Sequence, residues 1–261
     1  MTLKALTDLL PGSTPQTQAA MCEEHGEYES RNVFGRVWTK CPACEANDKE
    51  KRRREEEARD RAKRVMAWQN KVGGAGIPER FLDRRLGTFI AKSDEQRRAL
   101  AFAQDYADRF DEVLASGRCA LFIGRPGTGK THLAVGVGMQ IMESGYTALF
   151  QTVMRAIRRV KDTWRRDSTE SETAAIAALV FPDLLILDEV GVQFASDAER
   201  LILFDILNER YEKRKPTLFL SNLTTDEVKS CLGERVFDRL REDGGEFVAF
   251  GWESHRGKEV V

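Results

Sequence analysis

Two groups of residues in this chain have types and spacings that do chemistry. Gly124-Arg-Pro-Gly-Thr-Gly-Lys130-Thr131 fits the pattern G-x-x-x-x-G-K-[ST], with the apolar run "CALFIG" leading into it and "HLAVGVGMQIM" following it. That context is a strand before the loop and a helix after it. Glycines let a backbone wrap closely round a phosphate, and the amides opening the helix face the anion with the helix dipole behind them. The candidate nucleotide residues are therefore Gly124, Pro126, Gly127, Thr128, Gly129, Lys130, Thr131 and His132. Lys130 would hold the β- and γ-phosphates, and the Thr131 hydroxyl would ligate Mg²⁺. The second group is Cys22-Glu-Glu-His25 with Cys41-Pro-Ala-Cys44. Each pair can grip one side of a tetrahedron, and Cys₃His is a structural zinc set that leaves no open position for catalysis. Free thiols are the plain alternative; an iron–sulfur cluster fits less well, because His is an uncommon ligand there.

A phosphate-bound metal needs a carboxylate at the end of a buried strand. "LLILDEV" supplies Asp188 for the Mg²⁺ and, next to it, Glu189 to align or deprotonate an attacking water. In "TLFLSNLT" Asn222 ends a strand expected beside that of Asp188, buried and able to hold the lytic water; its other reading is the cap of a helix beginning near Thr224.

These residues need a scaffold. The chain has 261 residues, 32% of them charged and 41% hydrophobic, which suits one sizeable domain plus a small accessory unit. No run approaches the roughly 20 apolar residues of a membrane span, and "MTLKALTDLLPGSTPQTQ" lacks the apolar core of a secretory signal, so a cytoplasmic protein with no membrane partner is expected. Five cysteines, an odd number, argue against a disulfide framework. We expect a flexible lead-in over 1–20, a zinc knuckle over 21–48 and a charged linker helix with a Gly-rich hinge over 49–76. The ATPase domain fills 77–261. Lys49–Arg64 carries nine basic and five acidic residues, and reads either as a solvated helix or as one facing nucleic acid. Ser93 with Gln96 forms a capping box for a helix through about Ala115. Helices at 153–166, 171–180 and about 198–213 alternate with strands apolar on both faces, which implies an α/β fold with a parallel sheet between helices.

The phosphate loop, "DLLILDEVGVQ", strand-end Asn222, "LGERVFDRL" and the terminal "GWESHRGKE" together resemble the AAA+ ATPases of the DnaC/IstB family, and in particular its DnaC-type helicase loaders. The resemblance runs from about Ile77 to the C-terminus. Its loop and acid pair are generic to many NTPases; their combination with the later segments is far more specific. It implies an AAA+ P-loop fold with a five-stranded parallel sheet and no separate C-terminal lid. Arg239 of "FDRL" matches the arginine finger that reaches the ATP of a neighbouring subunit, with Arg235 competing for that role and an intramolecular ion pair the bland reading of either. Arg256 matches the second nucleotide sensor. Val153–Arg166 resembles the extra helical element of initiators and loaders. There Arg155, Arg158, Arg159, Lys161, Arg165 and Arg166 would track phosphates while a base stacks on Trp164; alternatively the arginines are a solvated face and Trp164 a packing residue.

The function implied is an ATP-dependent loader that places a DnaB-like hexameric replicative helicase on single-stranded DNA, with cofactors ATP, Mg²⁺ and Zn²⁺. Its ATPase would be slow and stimulated by assembly or DNA, and ATP would drive self-association into a spiral oligomer. The N-terminal region would bind the helicase. An IstB-like transposition helper that assembles on DNA and recruits a transposase is the alternative; a nucleotide-controlled adaptor with incidental hydrolysis is a third.

Overall fold

The computed structural model describes residues 16–33, 37–191 and 196–255. It divides into two compact units, Met1–Met66 and Ala67–Val261.

In the first unit β1 (Thr17–Cys22) and β2 (Gly26–Val33) form an antiparallel hairpin, and β3 (Val37–Trp38) pairs with the other edge of β2. Gly26, at φ 78°, supplies the left-handed turn that brings Cys22 opposite itself. Strand structure thus begins at Thr17, inside the segment expected as lead-in, because the ladder to β2 holds it rather than apolar burial. Helix α1 (Pro42–Gly74) begins seven residues ahead of the expected Lys49. Pro42 stands at its first position, where a missing N–H is harmless and φ is already helical. Its charged face pairs with itself: Glu50 bonds Arg53 and Arg54 at 2.8 and 2.9 Å.

In the second unit the helices are α2 (Asp94–Asp108), α3 (Phe110–Ser116), α4 (Lys130–Glu143), α5 (Val153–Asp162), α6 (Glu172–Val180), α7 (Asp197–Glu212), α8 (Thr225–Leu232) and α9 (Glu234–Arg241). The strands are β4 (Ala120–Gly124), β5 (Ala148–Thr152), β6 (Leu184–Val190), β7 (Thr217–Ser221) and β8 (Glu246–Phe250). They form one parallel sheet in the order β5-β6-β7-β4-β8. Successive residues serve opposite faces. Phe122, Ile186, Leu218 and Leu220 pack with Leu133, Val137 and Ile141 of α4 on one side. Leu121, Leu185, Leu187 and Phe219 pack with Ile157, Leu179, Ile206 and Phe237 on the other.

Ser93 caps α2 with the expected box, its Oγ accepting from the Gln96 N–H. The expected single helix to Ala115 is two, because Arg109 (φ −106°, ψ 34°) leaves helical geometry between α2 and α3. The helix expected to Arg166 ends at Asp162, where the Thr163 hydroxyl donates to the Val160 carbonyl at 2.6 Å.

Arg210 clamps the end of the sheet where the strands begin. It is 1% exposed. Its guanidinium donates to Thr217 Oγ1 and to the carbonyls of Leu179, Val180, Pro182 and Pro216 at 2.6–3.1 Å. Two of those carbonyls end α6, where helical partners run out. Burial lowers the guanidinium pKa to about 10, so it stays charged at neutral pH. Arg210→Met, which keeps volume but removes these donors from several buried carbonyls, is expected to lower unfolding free energy by about 3 kcal/mol or more, read by urea titration.

Candidate functional site

The phosphate loop joins β4 to α4. Gly124, Gly127 and Gly129 all have positive φ (146°, 79° and 98°). A Cβ on Gly124 would lie 2.3 Å from the Phe250 carbonyl oxygen, and one on Gly129 would lie 2.7 Å from the Phe89 ring, so the loop admits no side chain at either position. Lys130 is buried, its ammonium donating to the Gly124 and Arg125 carbonyls at 2.6 and 2.9 Å. The Thr128 hydroxyl donates to the Arg125 carbonyl at 2.9 Å, and Pro126 is exposed at the loop tip. His132 Nε2 lies 3.0 Å from the Arg85 carbonyl and 3.1 Å from Thr88 Oγ1, and burial lowers its pKa. Its contacts are with the Arg85–Phe89 segment rather than with the loop.

The acid pair sits in a β-bulge. Leu187 pairs with Phe219 and Val190 with Ser221, so β6 carries one residue more than β7 between them. Ser221 Oγ donates to the Val190 carbonyl at 2.6 Å and fixes the offset. The bulge turns Glu189 into the left-handed region at φ 61°, exposed, while Asp188 stays half-buried. Asp188 Oδ2 accepts from the Thr131 hydroxyl at 3.1 Å and Oδ1 from the Glu189 N–H at 2.7 Å. Burial pushes the Asp188 carboxyl above its ordinary range, against the Glu189 N–H, the Thr131 hydroxyl and the Lys130 ammonium, which favour ionisation. An oxygen pair of hydroxyl and carboxylate beside a phosphate cradle fits Mg²⁺, a hard cation held by few protein oxygens.

Asn222 directly follows β7, the strand between β6 and β4, and so stands at the sheet edge shared by the loop and the acid pair. It is exposed rather than buried, because β7 ends one residue earlier; and it is not the helix cap, since Thr224 caps α8 through the Glu227 N–H.

Arg239 lies elsewhere. It bonds Asn208 Oδ1 of α7 and stacks 4.4 Å over the Tyr211 ring, whose hydroxyl donates to Glu242 at 2.6 Å. It lines a small cavity with Ser116, Gly117 and Cys119, ahead of β4, whereas the phosphate loop follows the far end of that strand, about 13 Å on. Arg235 is exposed, 5.7 Å from the Phe204 ring. Arg256 falls outside the described residues.

On α5 the core face is Val153, Ala156, Ile157 and Val160, which leaves Arg155 and Arg158 exposed without an ion pair among the described residues. Arg159 bonds Glu170 at 2.7 Å, Lys161 bonds buried Glu199 at 2.9 Å, and Arg165 lies 3.4 Å from Asp167. Trp164 is 51% exposed and not a packing residue; its indole donates to Glu172 at 2.6 Å. Arg166 is exposed.

Cys22 ends β1, His25 lies in the hairpin turn, Cys41 precedes α1 and Cys44 is in its first turn. Bonds from the Ser30 hydroxyl to the Thr39 carbonyl (2.8 Å) and from the Arg31 N–H to Thr39 Oγ1 (2.9 Å) bring the second pair to the first. All four donor atoms lie within 4.8 Å of one another. Cys22 Sγ is 3.5 Å from Cys44 Sγ and 3.6 Å from His25 Nδ1, and Cys44 Sγ is 3.3 Å from that nitrogen. A zinc tetrahedron has edges of about 3.6–3.8 Å, so the donor set fits the ion. The thiols also compete for protons: the His25 hydrogen bond lowers Cys22 to about 6, while the hydrogen bond with Cys22 pushes Cys44 up to about 12. A divalent cation would resolve that competition.

The sequence reading missed two sets of contacts around the site. Asn208 and Tyr211 hold Arg239, and Trp252 with His255 lies on the phosphate loop. Neither has a local spacing signal, since the partners are at least 28 and at least 124 positions apart; an aromatic and a histidine in an otherwise polar tail are the one hint. Among the described residues, no helix is long and apolar enough to cross a membrane.

Residues 110–259 match the family described as IstB-like ATP binding protein. The chain is 35% identical over 196 residues to the replicative helicase loader DnaC of Buchnera aphidicola subsp. Schizaphis graminum, spanning 75% of this chain and 78% of the relative. It is 34% identical over 201 residues to the replicative helicase loader DnaC of Escherichia coli K12, covering 77% and 80%. A crystal structure of the DnaC helicase loader superposes with a TM-score of 0.59 at 27% identity, over 66% of this chain and 99% of that one.

Two predictions follow from the geometry. The folded state holds the Asp188 proton more tightly than the unfolded chain does, so the stability tied to this group is full at low pH and is lost as pH rises through its raised pKa. Asp188→Asn is therefore expected to leave the nucleotide-free protein at least as heat-stable at pH 7 while removing Mg²⁺-dependent nucleotide binding; a lower melting temperature counts against burial as the dominant effect. Elemental analysis of the purified chain is expected to find about one zinc per molecule, falling several-fold in Cys44→Ser.

Proposed function

The chain belongs to the IstB-like ATP-binding protein family and is an ATPase of the AAA+ class, and from that premise we propose that it loads a hexameric replicative helicase onto single-stranded DNA. The reading is supported by relatives named as replicative helicase loaders across three-quarters of the chain. It is carried by one geometric observation: the loop, Asp188, Glu189 and Asn222 share one edge of the sheet, and Arg239 stands at the opposite end.

In this scheme Lys130 and the amides of the glycine turn hold the triphosphate. Thr131 and Asp188 would hold Mg²⁺, which would supply positive charge against the charge that develops on the phosphates. Glu189, placed outward by the bulge, accepts the proton of an attacking water, and Asn222 orients that water. Arg239 cannot reach its own loop; it completes the site of a neighbouring copy, so turnover waits on assembly into a spiral oligomer. The zinc-stapled N-terminal unit binds the helicase. Arg155 and Arg158, the cations of α5 without an ion pair among the described residues, track the single strand, with Trp164 as a stacking platform once a base displaces Glu172. Arg159, Lys161 and Arg165 serve intramolecular ion pairs first, which makes them weaker candidates.

Arg239→Ala is expected to reduce ATP turnover by about 10³ without loss of ATP binding, and Lys130→Ala to lose binding. Mixing the two inactive proteins should restore turnover, because an intact finger then meets an intact loop; no recovery would sink the shared-site scheme. Glu189→Gln should trap ATP, and capture from the native cell with that trapped protein should recover a hexameric helicase. Recovery of a transposase in its place would establish the transposition-helper reading.

A further inference from the structure

Beyond β8 the chain turns back across the phosphate loop. The Trp252 indole N–H donates to the Thr128 carbonyl at 2.9 Å, and the His255 backbone N–H donates to the Gly127 carbonyl, also at 2.9 Å. This strap is firmly seated. The Trp252 ring lies 4.8 Å from that of Phe250, which in turn lies 5.1 Å from core Phe122. At its far end His255 Nε2 accepts from the side-chain amide of buried Gln96 at 3.1 Å. Gln96 is itself fixed, since its Oε1 accepts the N–H groups of Lys92 and Ser93 at the start of α2.

The consequence for the loop follows from peptide geometry. Each peptide unit is planar and trans, so its C=O and N–H point in opposite directions. A donor that fixes the Gly127 carbonyl fixes the Thr128 N–H on the other side, and one that fixes the Thr128 carbonyl fixes the Gly129 N–H. Those amides lie in the turn that wraps the phosphates. We propose that Trp252 is a positioning residue of the nucleotide site: with the His255 backbone, it holds two loop carbonyls outward so that the Thr128 and Gly129 amides face the phosphates. The inference rests on the loop being the ATP site. Indole suits the task because it offers one N–H donor and no acceptor, and its ring is held by Phe250.

Trp252→Phe keeps the ring against Phe250 and deletes the donor. In the full-length protein, Kd values for ATP and ADP are expected to rise by the same factor, about three- to tenfold for one lost hydrogen bond. The factor is shared because both nucleotides present phosphate to the same turn. At saturating ATP kcat should stay within about twofold, and the melting temperature of the nucleotide-free protein within about 2 °C. Lys130→Ala, measured alongside, separates the two readings. Wild-type ATP affinity there sinks the assignment of the loop and this proposal with it. Loss of binding there, together with unchanged affinity in Trp252→Phe, overturns the role of Trp252 alone. A fall in melting temperature in Trp252→Phe large enough to account for the weaker binding also overturns it, by making the contact a structural one.

Discussion

The nucleotide site depends on one constraint, that β4, β6 and β7 run parallel and adjacent. Parallel strands deliver their carboxyl ends to one edge, and there the phosphate loop, the acid pair and Asn222 meet. The opposite edge has an anchor too, at the end of α6 where the last carbonyls run out of helical partners. Arg210 supplies it, satisfying the end of α6 and the start of β7 with a single buried guanidinium. Its charge is shared among carbonyl dipoles instead of paired with a carboxylate, so removing it strands several acceptors at once. The clamp and the site lie at opposite ends of the same strands.

At the active edge the structure accepts local strain. Glu189 in the left-handed region costs about 1–2 kcal/mol relative to an ordinary strand conformation. Ser221, bonding the Val190 carbonyl, and Asp188, accepting the Glu189 N–H, offset that cost. What the bulge achieves is a difference between neighbours: Asp188 stays half-buried against Thr131, while Glu189 faces solvent where water arrives. An unbulged strand would place the two on opposite faces of the sheet, one of them inside a packed core.

The loop and the acid pair were legible because they are local, spelled by consecutive residues at fixed places on a strand and a helix. The Cys/His set was legible from spacing, but the start of α1 at Pro42 was not, since charge pairing marks only the middle of a helix and Pro42 marks its first turn only to a reader who already knows the turn is there. Asn222 is legible as the residue at the carboxyl end of β7, but its exposure is not, because the strand stops one residue earlier, at Ser221, than the apolar run implies. Contacts of long range were invisible: Arg239 on Asn208 and Tyr211, and Trp252 on Thr128, join positions that no periodicity relates. Likewise the basic residues from Arg155 to Arg165 look alike in sequence, and only the carboxylates of Glu170, Glu199 and Asp167, which take Arg159, Lys161 and Arg165, sort them into paired and unpaired.

The arrangement round Arg239 bears on how assembly would set the pace of hydrolysis. A finger on a loose side chain would lose rotamer freedom on meeting a neighbour's phosphate, at a cost of up to about 2 kcal/mol. Here the guanidinium already rests on the Tyr211 ring, that ring is tied to Glu242, and Asn208 orients the fork. Much of the ordering is therefore done within the single chain, and were Arg239 to meet a neighbour's phosphate, its partners to be displaced among the described residues would be one amide oxygen and a ring face. Among the described residues no carboxylate forms an ion pair with this guanidinium. A finger held in this way would engage and release without breaking a strong ion pair, as a site shared between separable copies would require.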